Sequence, residues 1–346
     1  MTVTGPSTAA QAAPAAERSA SRAPRLGFLG TGWIGRDRLA AIARSTVADV
    51  ALVVDPSPAC VDAALRDAPG AAAAASLDEL LRADLDGIVI ATPSALHAEQ
   101  AIAALDAGVA VFCQKPLGRT EAETAAVVEA ARRANLLLGV DLSYRQTAAA
   151  QAVRRAVASG TLGPIHAVDL VFHNAYGPDK PWFQDPALSG GGCVIDLGIH
   201  LVDLVLWTLG FPALEHVHSR RWRRGAPAGA GEAEDLCLAT LELRGGTVAR
   251  LACSWFSHEG RDAVIEATFR GRDGAVSLAN VGGSFYDFAA ERRTGTTRVP
   301  LVEPPDDWGG RAAVAWAARL AAGEGFDPAA RELVTVAGAL DRIYER

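Results

Sequence analysis

Three residues of the 346 invite a chemical reading first: Lys115, Asp196 and His200. In VAVFCQKP the apolar run 109–113 passes without a turn spacer into Gln114-Lys115-Pro116. A lysine at the lip of a buried strand lies where function concentrates, and a cis Lys115-Pro116 bond would swing it across the strand end. Asp196 and His200 lie in GGGCVIDLGIHLVD, where Asp196, His200 and Asp203 are spaced i, i+4 and i+7 and share one face of an apolar helix. Polar groups on such a helix are costly to bury unless paired. An internal hydrogen-bond network accounts for Asp203. Asp196 and His200 read instead as catalytic, since an imidazole is the side chain best suited to moving protons near neutral pH. Gly198 between them, at about 1 kcal/mol relative to Ala, suggests that something approaches that backbone closely.

A second constellation is Gly30-Thr31-Gly32-Trp33-Ile34-Gly35, between an apolar run and a helical pattern, with Asp55 closing the next strand. Gly30 permits a tight turn, Gly32 lets backbone approach a pyrophosphate, and Gly35 lets helix and strand close together. The helix N-terminus offers free N–H groups to phosphates. Asp55 can accept from both ribose hydroxyls and would repel a 2′-phosphate, so NAD(H) is expected over NADP(H). ATPSALH, after the next strand, places Thr92, Pro93 and His97 beside the same crevice, although a helix-start role explains Pro93 and a structural role suits His97. Gln114 and Lys115 reach the crevice from a neighbouring strand.

These residues need elements to carry them. Apolar runs at 26–29, 50–54, 87–90, 109–113 and 136–140 alternate with helical patterns at 36–43, 61–68, 77–82, 95–107 and 121–135. That rhythm predicts a parallel sheet covered on both faces, with ligands bound beyond the carboxyl ends of its strands. After residue 147 the pattern changes. A helix at 148–159 and a strand at 166–172 lead through a loop at 174–191 to an apolar helix at 193–209. Alternating runs such as 236–243 and 247–254 follow, with RGG, GRDG and VGG turns that predict antiparallel pairing. The expectation is an α/β chain. A disordered tail (1–24) leads to a doubly wound dinucleotide-binding domain (25–146). An α+β domain with a large open, mainly antiparallel sheet (147–346) follows, its last helices able to pack back on the first domain.

Composition narrows the function classes. The net charge is -7 with interspersed signs, which argues against nucleic acid as a partner. No apolar window is expected to span a bilayer. The five cysteines are scattered, odd in number and without a CxxC pair, so they read as reduced core residues of a cytoplasmic protein. His216 and His218 share a strand face, but no HExxH or Cys/His cluster completes a metal site, so no metal is expected.

GTGWIG, ATPSALH, QKPLG, Tyr144-Arg145 and GGGCVIDLGIHLVD, in this order, resemble the glucose-fructose oxidoreductase, inositol dehydrogenase and rhizopine-catabolism (Gfo/Idh/MocA) family over everything after the tail. The resemblance implies a Rossmann domain, a second domain whose open sheet mediates homodimer or homotetramer contacts, and a catalytic group of Lys115, Asp196 and His200. It also implies hydride exchange between nicotinamide and a sugar, sugar derivative or cyclitol. His200 would be the general base, Lys115 the donor to developing alkoxide charge, and Asp196 the orienting carboxylate. Tyr144, Arg145, Tyr176 and Trp182, with Asp179 and Lys180, are places for polyol recognition. Two rivals are an NAD-dependent glycoside-cleaving relative without net redox change, and a non-catalytic NAD(H)-sensing regulator. Gln114 departs from the family's usual Glu, and loss of that carboxylate removes a negative neighbour of Lys115.

Overall fold

The computed structural model describes residues 22–346; residues 1–21 of the expected tail lie outside the described residues. Strands β1 (Arg25–Leu29), β2 (Asp49–Val54), β3 (Ala72–Ala73), β4 (Gly87–Ile90), β5 (Ala110–Cys113) and β6 (Leu138–Val140) form one sheet in the order β3-β2-β1-β4-β5-β6, parallel throughout. The runs GIVI and AVFC are buried at every position, because helices cover both faces of the sheet. Those helices include α1 (Trp33–Ser45), α2 (Pro58–Asp67), α3 (Leu77–Arg82), α4 (Ser94–Asp106) and α5 (Glu121–Ala134). This strand order puts a ligand crevice outside the carboxyl ends of β1 and β4, where the winding reverses.

Beyond α6 (Ala148–Ala158), a nine-stranded sheet is built from β7 (Ile165–Asn174), β8 (Leu214–Arg223), β9 (Ala226–Pro227), β10 (Leu236–Leu243), β11 (Thr247–Ser254), β12 (Ala263–Gly271), β13 (Ala275–Asn280), β14 (Phe288–Thr294) and β15 (Thr297–Val302). Its order is β15-β14-β13-β12-β7-β11-β10-β8-β9, and β7 with β11 is its one parallel pair. The chain is therefore α/β, with a parallel sheet followed by a large, mostly antiparallel one. In β10 buried and open positions alternate, as expected of a sheet with one packed face.

Two features depart from the sequence pattern. The stretch expected to be one helix from residue 193 to 209 follows a short helix α7 (Pro186–Ser189) and opens with a π turn over Val194–Gly198. Only then does it become α8 (Ile199–Leu209). Taken together, Pro186–Leu209 is 24 residues long and holds an 18-residue window of mean hydropathy 1.7, enough by length and composition to cross a membrane, contrary to the expectation that no window is. That window is 89% buried inside the protein and carries Asp196, His200 and Asp203, so a core helix explains it.

The end of the chain returns to the first sheet. Trp316 of α9 (Arg311–Ala321) packs on Phe112 at a 5.7 Å ring separation. A Cβ on Gly87 or Gly139 would come within 2.6 or 2.7 Å of the same indole, so both strands need glycine there. Helix α10 (Arg331–Tyr344) packs against α5 and α8, bridging the two sheets' layers. All five cysteines are free, and four are buried.

Candidate active site

Strand β5 delivers Gln114 and Lys115 to the crevice. The Lys115-Pro116 bond is cis, as the placement of the proline suggested. His97 holds this turn to its neighbour: fully buried, it lies 2.7 Å from the Pro116 carbonyl oxygen through Nδ1 and 2.7 Å from that of Thr92 through Nε2. Both ring nitrogens thus face backbone carbonyls, and His97 braces the crevice. Thr92 Oγ1 donates to Gln100, and Pro93 is the N-cap of α4.

Lys115 Nζ donates to the Asp196 carbonyl oxygen at 2.7 Å and to Asp196 Oδ1 at 2.8 Å. An ammonium has three N–H bonds, so one remains for a ligand. The π turn is what presents Asp196: Ile199 N–H reaches back five residues to the Val194 carbonyl, and in this widened turn the Asp196 carbonyl accepts from a side chain. Trp255 Nε1 donates to Asp196 Oδ2 at 3.1 Å, so both carboxylate oxygens are fixed.

His200 follows one turn later and is 9% exposed. Its imidazole forms no hydrogen bond with the described residues. Tyr144 packs edge-on against it at 4.7 Å and Phe172 lies at 6.1 Å. Burial in that apolar setting, with the nearby Lys115 ammonium, holds its pKa well below 6.5. A neutral imidazole beside a lysine that has one N–H to spare is an acid-base pair without a bound substrate oxygen.

The Gly-rich loop sits at the end of β1. Gly30 has φ +88°, and a Cβ there would lie 2.5 Å from the Ala91 carbonyl oxygen, so both conformation and space demand glycine. A Cβ on Gly35 would meet the Gly30 carbonyl oxygen at 2.1 Å, which explains the close helix–strand approach. A dinucleotide fits this loop. Thr31 is 1% exposed, and its buried Oγ1 has no partner. Helix α1 has no side-chain cap and no acidic residue in its first turn. Its N-terminal N–H groups are open to an anion. Asp55 accepts from Thr31 N at 2.7 Å and Ser57 N at 2.9 Å, leaving lone pairs on both oxygens. Trp33 is exposed at the start of α1 and Ile34 follows within its first turn.

The other expected contacts separate. Tyr144 lines the His200 pocket with Phe172, Phe288 and Trp308. Arg145 is committed elsewhere: its Nε lies 2.9 Å from Asp203 Oδ2 and its Nη1 3.4 Å from Glu332, with Trp207 and Phe211 against its guanidinium. This pairing satisfies Asp203, as the apolar helix required. Tyr176 is exposed near Phe285, and Trp182 stacks on Phe183 at 3.8 Å.

Gln114 is buried, and its Nε2 donates to Asp141 Oδ2 at 2.6 Å; Arg38 Nε donates to the same oxygen at 2.7 Å. The negative charge missing at position 114 therefore stands at 141, on the end of the adjacent strand. Sequence reasoning missed Asp141, Trp255 and Glu234. Glu234, fully buried, accepts from Gly192 N at 3.1 Å, Val194 N at 2.9 Å and the Tyr344 hydroxyl at 2.8 Å, and so fixes the entry to the π turn. Burial pushes its carboxyl pKa up. Tight packing of Gly192, where a Cβ would lie 2.0 Å from the Glu234 carbonyl oxygen, was hinted at only by the GGG run.

Residues 25–142 match the oxidoreductase family with an NAD-binding Rossmann fold, and residues 150–277 match the GFO/IDH/MocA C-terminal domain. Inositol 2-dehydrogenase of Leifsonia xyli is 32% identical over 71% of this chain and 70% of its own length. D-glucoside 3-dehydrogenase of Escherichia coli is 28% identical over 58% of this chain, and the match spans 60% of that relative's length. A 3-ketoreductase from Actinomadura kijaniata, solved with NADP and TDP-benzene, shares the fold with a TM-score of 0.80 at 20% identity, over 94% of this chain and 98% of that one.

Proposed function

The chain belongs to the GFO/IDH/MocA oxidoreductase family, and from that premise we propose that it interconverts a secondary alcohol and a ketone on a sugar, sugar derivative or cyclitol, with NAD(H) preferred over NADP(H). The observation that carries the reading is the pairing of Lys115 with Asp196 beside an unpartnered His200. In the oxidative direction neutral His200 takes the hydroxyl proton. The third N–H of Lys115 donates to the same oxygen and stabilises its developing charge. Asp196 holds Lys115 through two acceptors and is itself fixed by Trp255, so the donor is placed before substrate arrives. A nicotinamide, when bound, supplies the hydride acceptor. Tyr144 and Phe172 exclude water around His200.

Asp55 supports the preference for NAD(H), because a 2′-phosphate would meet a carboxylate and Arg36 is paired with Asp67 at 2.6 Å. The open face of the nine-stranded sheet, which exposes Leu238 and Val248, supports self-association as a homodimer or homotetramer. A spectrophotometric screen of inositols, aldoses and nucleotide sugars against NAD and NADP in parallel tests the activity. Turnover of a glycoside without net nicotinamide reduction would replace it with the non-redox alternative, and strong NADP preference would remove the role given to Asp55.

The state of His200 gives a pH prediction. Since its pKa in the folded chain lies well below 6.5, the base stays neutral and kcat/KM for alcohol oxidation should not lose a proton acceptor as pH falls to 6.5. The acid limb should lie below that value. An acid limb that is centred at or above 6.5 and persists in His200→Gln would assign the base elsewhere.

A further inference from the structure

We propose that Lys180, from the loop between β7 and α7, is a ligand for the pyrophosphate of the dinucleotide. The inference rests on the proposed function and deepens it, because the second domain then supplies part of the cofactor site. The sequence placed Lys180 among groups for polyol recognition. In the fold its ammonium stands over the Gly-rich loop: within 4 Å of a Cβ built on Gly32, the neighbouring atom is Lys180 Nζ, at 3.5 Å. Gly32 is the position whose bare backbone lets a pyrophosphate come close.

Three further observations agree. Lys180 is exposed, and its ammonium has no hydrogen bond or ion pair among the described residues. Thr31, in the same loop, is 1% exposed and its Oγ1 has no partner. The positive end of α1 meets no capping side chain and no first-turn carboxylate. A free ammonium and the uncapped start of α1 thus meet at Gly32, while the loop's one carboxylate contact among the described residues, Asp55, is on Thr31 N at 2.7 Å. A diester-linked pyrophosphate carries two negative charges there, and an ammonium on a flexible four-carbon stem can follow it as a point charge.

The placement also links the two halves of the site. Lys180 leads into the turn Pro181–Gln184, then α7 and the Gly190–Gly192 run that ends at the π turn holding Asp196. Arg119, from the first domain, donates to the Ala187 carbonyl oxygen at 2.6 Å and anchors the middle of this segment. A phosphate held between Gly32 and Lys180 fastens its start.

The test is titration of the full chain with NADH and with ADP-ribose, which keeps the pyrophosphate and lacks nicotinamide. Lys180→Met should raise Kd for both by about tenfold, in the range for a lost charge-assisted hydrogen bond. Lys180→Arg should restore most of the affinity. The affinity of the wild type for ADP-ribose should fall more steeply with added salt than that of the methionine variant, because screening acts on the charge being tested. Equal affinities and equal salt dependence in Lys180→Met and wild type would overturn the proposal. Weakened NADH binding with ADP-ribose unaffected would also overturn it, by moving Lys180 to the nicotinamide side. Failure of the wild-type chain to bind either ligand would count against the proposed function instead.

Discussion

Lys115→Met should lower kcat by about a thousandfold, the scale of losing a donor aimed at a developing oxyanion. Methionine preserves the apolar stem but donates nothing, so the reacting oxygen and both acceptors of Asp196 lose their partner at 2.7 and 2.8 Å together. Dinucleotide affinity should change little, because the groups assigned to the phosphates and ribose are the loop after β1, Asp55 after β2 and Lys180, not Lys115. The split between kcat and Kd is the useful signature. Lys115→Arg should rescue poorly, since a planar guanidinium cannot direct three tetrahedral donors to a carbonyl, a carboxylate and a substrate oxygen at once. A methionine variant within tenfold of wild-type kcat would sink the assignment of Lys115 as the oxygen's donor.

The second large effect is expected at Gln114. Gln114→Glu puts a carboxylate where an amide N–H now donates to Asp141 at 2.6 Å, in a site where Asp141 is 1% exposed. Two buried like charges at that distance should destabilise the fold by about 3 kcal/mol near pH 8, the scale of an uncompensated buried charge. The pH dependence follows from the sign of the shift. The introduced carboxyl has a folded pKa raised above its unfolded value of about 4.3, so its penalty is absent below that value and grows as pH rises toward the folded pKa. In its protonated form the introduced carboxyl can donate to Asp141 as the amide does. Thermal melting of variant and wild type should therefore converge as the pH is lowered from about 8 to about 5. Superimposable melting curves at the higher pH would show that Asp141 does not dictate the amide.

This pairing revises the expectation drawn from Gln114. Taken as a departure from the family's usual Glu, it suggested a crevice short of one negative charge. The fold restores that charge from the next strand, since Cys113 pairs with Val140 and the residues that follow each, Gln114 and Asp141, stand side by side. Arg38, 103 residues from Asp141 in sequence, completes the group. No periodicity in the chain relates these three positions.

What the sequence determined by itself was local and periodic. Apolar runs alternating with helical patterns specify the parallel sheet, because each strand must be buried on both faces whatever it pairs with. The Gly-rich turn was legible because steric limits on Gly30 and Gly35 act between near neighbours. Lys115, Asp196 and His200 stood out because a charged group on an apolar element needs a reason. Tertiary structure alone decided what each polar group does. His97 became a brace and Arg145 a partner of Asp203, since the acceptors that claim them come from other turns and helices. The π turn depends on Glu234, a carboxylate 42 residues from Gly192 in sequence, and Lys180 met Gly32 only because the loop after β7 passes over the loop after β1. Spacing along a chain reports which face of an element a side chain occupies, but its partner is set by how the elements pack, and hydrogen bonds act only at contact distance.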